Sequence, residues 1–253
     1  MLGIGVVTYN RLETLSGSIA AIRACTDTSY QLMVSDDGST DGTLAWLEEN
    51  KVPHIKGSNY GTGWNRNRAL YYFENYTDCE VVILLEDDCY PSELGWYKPW
   101  VKGAQRWGHL CYPHFKGQDE PLSGDGTPEN PFLYKNQGNQ CVAVSRAALA
   151  AVGYSDTRFH GYGHDDTEWR LRYARWNKTL RKPATLGLLS GVTVVPSKSF
   201  WNVESVTANG QLLSKIMKED VLYKPPYRDQ AEKERFLAEI ETIGPDLLQR
   251  SSK

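Results

Sequence analysis

Short apolar runs alternate with longer amphipathic stretches through the first part of the chain. Residues 81–85 (Val-Val-Ile-Leu-Leu) form a continuous apolar run of strand length, the pattern of a strand buried on both faces, and they lead straight into Glu86, Asp87 and Asp88. Residues 3–8 and 30–34 read as two more strands and residues 53–56 as a weaker third. Between them, Leu12, Leu15, Ile19 and Ile22 recur at helical spacing, which predicts a helix over 11–24 with Asn10 available as its cap. A short helix is expected over 43–50, capped by Asp41, and another over 61–75 after a pair of glycines. Strands alternating with helices imply an α/β fold: a mainly parallel sheet with right-handed crossovers, flanked by helices.

The second half is less regular. Its pattern predicts helices over 94–106, 145–152 and 167–176 and strands over 109–115 and 139–144, with an exposed loop or hairpin over 117–131. In the helix at 167–176, Trp169, Tyr173 and Trp176 share one face. A strand pair is expected near 185–196, then a polar segment over 197–210. Lys224-Pro225-Pro226 breaks the chain before a charged helix over 229–242. The expected organisation is a main domain over 1–212 and a short helical appendage over 213–253.

Composition narrows the class. With 253 residues, 40% hydrophobic and 23% charged, the chain reads as a globular protein, and no apolar run approaches the roughly 18 residues a membrane span needs. Met1 leads almost directly into the first strand, and the five scattered cysteines form no C-x-x-C pair, so a soluble cytoplasmic protein with free or buried thiols is expected. A net charge of -3 excludes a global basic field that would draw the chain to nucleic acid or anionic lipid.

Chemistry concentrates where strands end. Thr8, Asp36, Asn59 and Asp88 all fall at the carboxyl ends of predicted strands, the edge where open α/β sheets bind ligands. In an extended chain Glu86 and Asp88 project to one face and Asp87 to the other, so the first two could converge on a hard cation held by oxygen. The alternative is a solvated acidic turn before a helix starting near Pro91-Ser92-Glu93. Helix capping is likewise the alternative for the acids of 36–41 and for Asp165 and Asp166.

Six stretches carry a resemblance: Val7-Thr-Tyr-Asn-Arg11, Val34-Ser-Asp-Asp-Gly-Ser-Thr-Asp-Gly42, Asn59-Tyr-Gly-Thr-Gly-Trp-Asn-Arg-Asn67, Leu85-Glu-Asp-Asp88, Asn139-Gln-Cys-Val-Ala-Val-Ser-Arg146 and Gly161-Tyr-Gly-His-Asp-Asp-Thr-Glu168. Taken in this order, they resemble the inverting family-two glycosyltransferases with the GT-A fold, over residues 3–200. The resemblance implies a Rossmann-like, mainly parallel mixed sheet. It also implies transfer of a hexosyl or N-acetylhexosaminyl group from a nucleotide-diphosphate-sugar, a UDP-sugar, to an acceptor hydroxyl with inversion.

By that resemblance, Thr8 and Asp36 would hold the nucleotide base and Arg66 would lie near the base or diphosphate. Asn10, Arg11, Asn59, Glu86 and Asp87 would complete the donor side. An aspartate can accept an imide N–H, and arginine offers a planar fork of donors to phosphate. Asp88 would ligate Mn2+ or Mg2+, and Asp166 would be the general base, with Asp165 beside it. The chain departs from the family's pattern in carrying Glu86 first in the acidic motif and Asp165 where Glu is usual. It also has no histidine beyond His164, so a group near Ser197 or Asn202 would replace a further metal ligand, or Asp88, diphosphate and water would suffice.

Eight tryptophans and fifteen tyrosines supply faces for sugar stacking, and Tyr60, Tyr162 and Trp201 lie near predicted loops. The expected acceptor is a saccharide, with a modified nucleic acid or a protein as alternative. From a different class, the chain could be a non-catalytic nucleotide- or carbohydrate-binding module.

Overall fold

The computed structural model describes residues 1–113, 121–134, 139–177, 185–197 and 201–248. The first half alternates as its pattern predicts: β1 (Leu2–Thr8), α1 (Leu12–Cys25), β2 (Tyr30–Asp36), α2 (Thr43–Glu49), β3 (His54–Lys56), α3 (Thr62–Tyr76) and β4 (Val81–Glu86). Then follow β5 (Cys89–Pro91), α4 (Tyr97–Trp107), β6 (His109–Cys111), β7 (Phe132–Tyr134), β8 (Cys141–Ser145), α5 (Arg146–Val152) and α6 (Asp165–Asn177). The remainder comprises β9 (Thr185–Gly187), β10 (Val192–Val194), α7 (Val203–Ile216), α8 (Gln230–Ile240) and the short α9 (Pro245–Leu248).

Among the described residues, eight strands form one sheet in the order β3-β2-β1-β4-β8-β6-β9-β7. The β3, β2, β1 and β4 strands run parallel, and the register sets Thr8 beside Asp36 and Val7 beside Glu86, so these strands end on one edge. β8 runs antiparallel to β4 with Leu85 opposite Cys141, which brings the start of β8 to the same edge. The apolar run of β4 is continuous because both faces are covered. Val81, Ile83 and Leu85 join the layer containing Leu15, Ile19, Trp96 and Trp100, whereas Val82 and Leu84 join that of Leu70, Phe73, Trp169 and Phe236. Gly3 of β1 lets α3 approach, since a Cβ there would lie 2.8 Å from the Phe73 ring, and Gly5 leaves room for the neighbouring β4, since a Cβ there would lie 2.6 Å from Leu84 Cδ2.

Helix α3 is unusual in burying polar side chains. Asn65, Arg66, Asn67 and Arg68 are all at most 3% exposed, and each is hydrogen-bonded. Asn65 Nδ2 donates to the carbonyls of Thr8 (3.2 Å) and Ser35 (2.9 Å), tying the helix to the ends of β1 and β2. Arg68 donates to Asp37 Oδ1 (2.9 Å), to the Ser58 carbonyl (2.7 Å) and to Glu239 of α8 (2.9 and 3.1 Å). Glu239 also accepts from the Trp64 indole (2.8 Å) and the Ser58 amide (2.7 Å). Phe236, fully buried one turn earlier, packs edge-on against Trp64 and Tyr71 at 5.4 and 5.3 Å. Phe236→Ala is therefore expected to lower the unfolding free energy by about 3–5 kcal/mol, checked by the denaturant midpoint.

Several expectations are corrected. The strands near 185–196 do not pair with each other: β9 joins β6 and β7 in the large sheet, and β10 pairs antiparallel with β5 in a separate ribbon. The polar segment over 197–210 contains the start of α7, whose N-terminus Asn202 caps by accepting from the Glu204 and Ser205 amides. The expected boundary at 212/213 falls inside that helix. Asn10 does not cap α1; Asp41 Oδ2 instead accepts from the Leu12 amide (3.0 Å), while Asp41 Oδ1 accepts from the Thr43 amide and hydroxyl at the start of α2. The expected loop at 117–131 and strand end at 115 lie partly outside the described residues.

Candidate active site

The sheet edge formed by the ends of β1, β2 and β4 gathers most of the residues singled out in the sequence. Asp36 Oδ2 accepts from the Gly38 and Ser39 amides (3.0 and 2.9 Å), which fixes its carboxylate at the end of β2. Its Oδ1 is buried with no hydrogen-bond partner, as is Oδ1 of Asp88 just past β4. A buried carboxylate oxygen left unsatisfied costs about 1–3 kcal/mol or more, so each implies an occupant. Asp37 points the other way in its bonding, accepting from Arg68 and from the Tyr60 and Gly61 amides and so bracing the loop before α3.

The acidic triplet divides differently from an extended strand. β4 ends at Glu86 and the chain turns, so Asp87 and Asp88 share one cation rather than facing apart: Arg11 Nη1 lies 2.9 Å from Asp87 Oδ1 and 3.2 Å from Asp88 Oδ2. The Thr8 hydroxyl donates to Asp87 Oδ2 (2.8 Å), which places Thr8 on the acidic turn. Glu86 pairs instead with Arg66 Nη2 at 2.8 Å. The ribbon of β5 and β10 then carries the chain back past the triplet. Val195 N donates to the Asp88 carbonyl (2.8 Å), and the Ser197 hydroxyl donates to Asp88 Oδ2 at 2.5 Å. Of the two residues considered as substitutes for a further metal ligand, Ser197 meets Asp88 and Asn202 caps α7.

Helix α6 delivers the second acid pair. Asp165 Oδ2 is 3.1 Å from Arg66 Nη1, so Arg66 is held by Glu86 and Asp165 together. Among the described residues, Asp166 accepts only a 3.4 Å contact from the Thr167 hydroxyl. Both acids sit in the first turn, where the helix dipole favours negative charge.

Burial dominates the electrostatics. It pushes Glu86 up to about 7, against the lowering effect of Arg66 and with help from Asp88, Asp87 and Asp166. Asp87 is raised to about 6 by burial despite Arg11 and Thr8, and Asp165 is raised by burial against Arg66. Burial also opposes the Arg66 cation, but Asp165, Glu86 and Asp166 outweigh it and hold Arg66 above the ordinary guanidinium value. The half-exposed phenol of Tyr162 feels the same cluster: burial raises it first, then Glu86, Asp166 and Asp165.

Other expected residues stand further from this chemistry. Asn10 bonds across to the next loop, its amide donating to Ser39 Oγ (2.8 Å) and its Oδ1 accepting from the Thr40 amide (2.7 Å). Asn59 is exposed beside Gly38. Tyr60 packs on Trp64 at 5.1 Å, whereas Trp201 is 60% exposed ahead of α7. Sequence reasoning gave no role to Asn139 and Gln140. The Gln140 carbonyl accepts from the Glu86 amide (2.9 Å), and both Asn139 side-chain polar atoms and Gln140 Oε1 are buried without partners. The motif containing them was visible; their register beside Glu86 was not.

The chemistry of these donors fits a divalent cation. Five carboxylates (Glu86, Asp87, Asp88, Asp165, Asp166) face two guanidinium groups, with Asp87 and Asp88 buried and Asp88 Oδ1 without a partner, so a further cation would be favoured here. Among the described residues, no group of three or more His, Cys, Asp or Glu side chains is arranged as a metal site. The residues fit an ion held by one protein carboxylate and completed by ligands from elsewhere.

The model of glycosyl transferase family 2 matches residues 4–145, over half of the chain, from within β1 to the end of β8. The chain belongs to glycosyl transferase family 2. No curated protein sequence matches it. Among solved structures, TarS of S. aureus is similar at 20% identity over 94% of this chain and 42% of that chain, with a TM-score of 0.55. This family-two chain thus spans less than half of that TarS chain. GalNAc-T7 with UDP, GalNAc and Mn2+ is similar at 15% identity over 95% of this chain and 54% of that one, TM-score 0.65. A mannosyltransferase from Pyrobaculum calidifontis with GDP-Man and Mn2+ is similar at 16% identity, covering 95% and 69%, TM-score 0.56. These likenesses establish the GT-A fold for this family-two member. Among the described residues, no helix is long and apolar enough to cross a membrane.

Proposed function

We propose that this chain is an inverting glycosyltransferase that moves a sugar from a UDP-sugar to a hydroxyl of a saccharide acceptor. The observation that carries the reading is the pair of buried, partnerless carboxylate oxygens, Asp36 Oδ1 and Asp88 Oδ1, at the ends of strands on one sheet edge. Asp36 would accept a hydrogen bond from the imide N–H of the base, its other oxygen already fixed by two amides. Asp88, with Ser197 beside it, would hold Mn2+ or Mg2+, which when bound supplies Lewis-acid neutralisation of the leaving diphosphate.

Asp166 is the residue assigned to the acceptor proton. Inversion needs a carboxylate opposite the leaving group, and Asp166 is less committed than Asp165, whose Oδ2 is bonded to Arg66. Asn139 and Gln140 would hydrogen-bond the transferred sugar, because their unsatisfied amides lie beside Glu86. Half-exposed Tyr162 would offer a ring face to the acceptor. Three of the similar structures contain uridine nucleotides and another contains GDP-Man, so the base is part of the test.

The test is thermal stabilisation by UDP, TDP and GDP sugars with and without Mn2+, followed by transfer assays with the stabilising donor. UDP-sugars should raise the melting temperature in a Mn2+-dependent way, and Asp36→Ala should remove most of that shift. Stabilisation by GDP-sugars alone, or an unaltered UDP shift in Asp36→Ala, would overturn the donor assignment. A stabilising donor that is transferred to no saccharide would favour the binding-module reading.

A further inference from the structure

The contacts of Arg66 separate two neighbouring acids that the sequence leaves equivalent. Arg66 lies in the second turn of α3 and is 3% exposed, so it does not project into open solvent. Its two terminal nitrogens are each engaged: Nη2 with Glu86 at the end of β4, and Nη1 with Asp165 at the start of α6. A planar guanidinium holds these nitrogens at fixed separation and angle, so the pairing fixes where α6 begins relative to β4. Asp166 adds its charge to the same cation, but among the described contacts it makes no hydrogen bond to Arg66.

The chain leading into α6 needs such a tether. Gly161, Gly163 and His164 all have left-handed backbones, at φ 69°, 99° and 69°, so no regular element positions the first turn. From the outside, α7 holds this loop: Asn209 Nδ2 donates to the His160 carbonyl (2.9 Å), and Ser205 Oγ accepts from the Tyr162 amide (3.2 Å). On the inside, Arg66 is the contact that reaches the acid pair itself.

We propose that Arg66 is a positioning residue rather than a diphosphate ligand: by binding Asp165 and Glu86 it fixes the first turn of α6 and leaves Asp166 to face the acceptor. This rests on the transfer reading above. Removing the cation would leave two half-buried acids without compensation, and the acid pair would shift. Misplacing a catalytic group by about 1 Å is worth about 10² in rate, whereas a residue that does not touch the donor leaves donor affinity alone.

The experiment compares Arg66→Met and Arg66→Lys with the wild-type protein in three readouts: kcat, UDP affinity by calorimetry with Mn2+, and the titration of the 13C-labelled Asp165 carboxyl without donor. Arg66→Met should lower kcat by about 10²-fold with UDP affinity unchanged. Arg66→Lys, which keeps the charge but not the fork, should recover about tenfold of that loss. The Asp165 titration should move to higher pH in Arg66→Met, because a nearby cation that favours its charged form is gone. A loss of UDP affinity that matches the loss of kcat would make Arg66 a donor ligand and overturn the proposal. An unmoved Asp165 titration would overturn it too. If Arg66→Met does not fold, Arg66→Lys supports the proposal by losing kcat at constant UDP affinity and overturns it by losing both. A wild-type protein that transfers no sugar would remove the transfer reading, yet the Asp165 titration would still decide whether the pairing holds.

Discussion

Asp166→Asn should bind donor and metal as the wild-type protein does and transfer about 10²- to 10⁴-fold more slowly, the usual worth of a general base. Asparagine keeps the size of the side chain and most of its hydrogen bonding but takes no proton at neutral pH. The Thr167 contact is long and the residue is not fully buried, so little of the fold depends on its charge. The informative control is Asp165→Asn. That change weakens the bond to Arg66 and should cost less turnover than Asp166→Asn, because Asp165 positions and does not react in this reading. Both variants are compared by kcat and by donor affinity measured separately. Equal falls in affinity and turnover for Asp166→Asn would make it a binding residue, and a dead Asp165→Asn beside an active Asp166→Asn would move the base by one position.

Asp88→Ala should abolish transfer and Mn2+-dependent donor binding while leaving a folded protein. The alanine removes Oδ1, which has no protein partner, and Oδ2, which accepts from Ser197 and pairs with Arg11. Arg11 keeps Asp87, so no buried cation is stranded by the change. The measurements are the melting temperature with UDP, with and without Mn2+, and transfer in the presence of excess chelator. Full activity in the variant, or in chelated wild-type protein, would refute the assignment of Asp88 to a metal.

The strand-end part of this site was legible because its signals are local. Each apolar run of β1, β2 and β4 is followed at once by polar residues, so Thr8, Asp36 and Glu86 could be placed at strand ends without tertiary information. The pairing partners were not legible. Arg66 meets an acid 99 residues away, and Ser197 one 109 residues away, and no periodicity encodes such distances. The same limit explains β9 and β10: each is a three-residue strand, and only the folded sheet decides that they take different partners. Helix α7 was missed for another reason. Its Val203 is 58% exposed and its few buried residues include Asn209, so it lacks the apolar stripe that marks a packed helix. The turn at Asp87 also inverted a prediction, because strand alternation holds only while the strand lasts.

The ion network of Arg68 has a consequence for how the protein is made. Arg68 is fully buried, and two of its carboxylate contacts come from Glu239, 171 residues later in the chain. At a synthesis rate of about 5–20 residues per second, Glu239 leaves the ribosome roughly 10 to 30 s after Arg68. Throughout that interval the nascent first half of the chain carries a guanidinium compensated by Asp37 but not by its second acid, under a Trp64 whose indole lacks its acceptor. The sheet edge that would bind the nucleotide is thus braced only once α8, far downstream of Arg68, has been made.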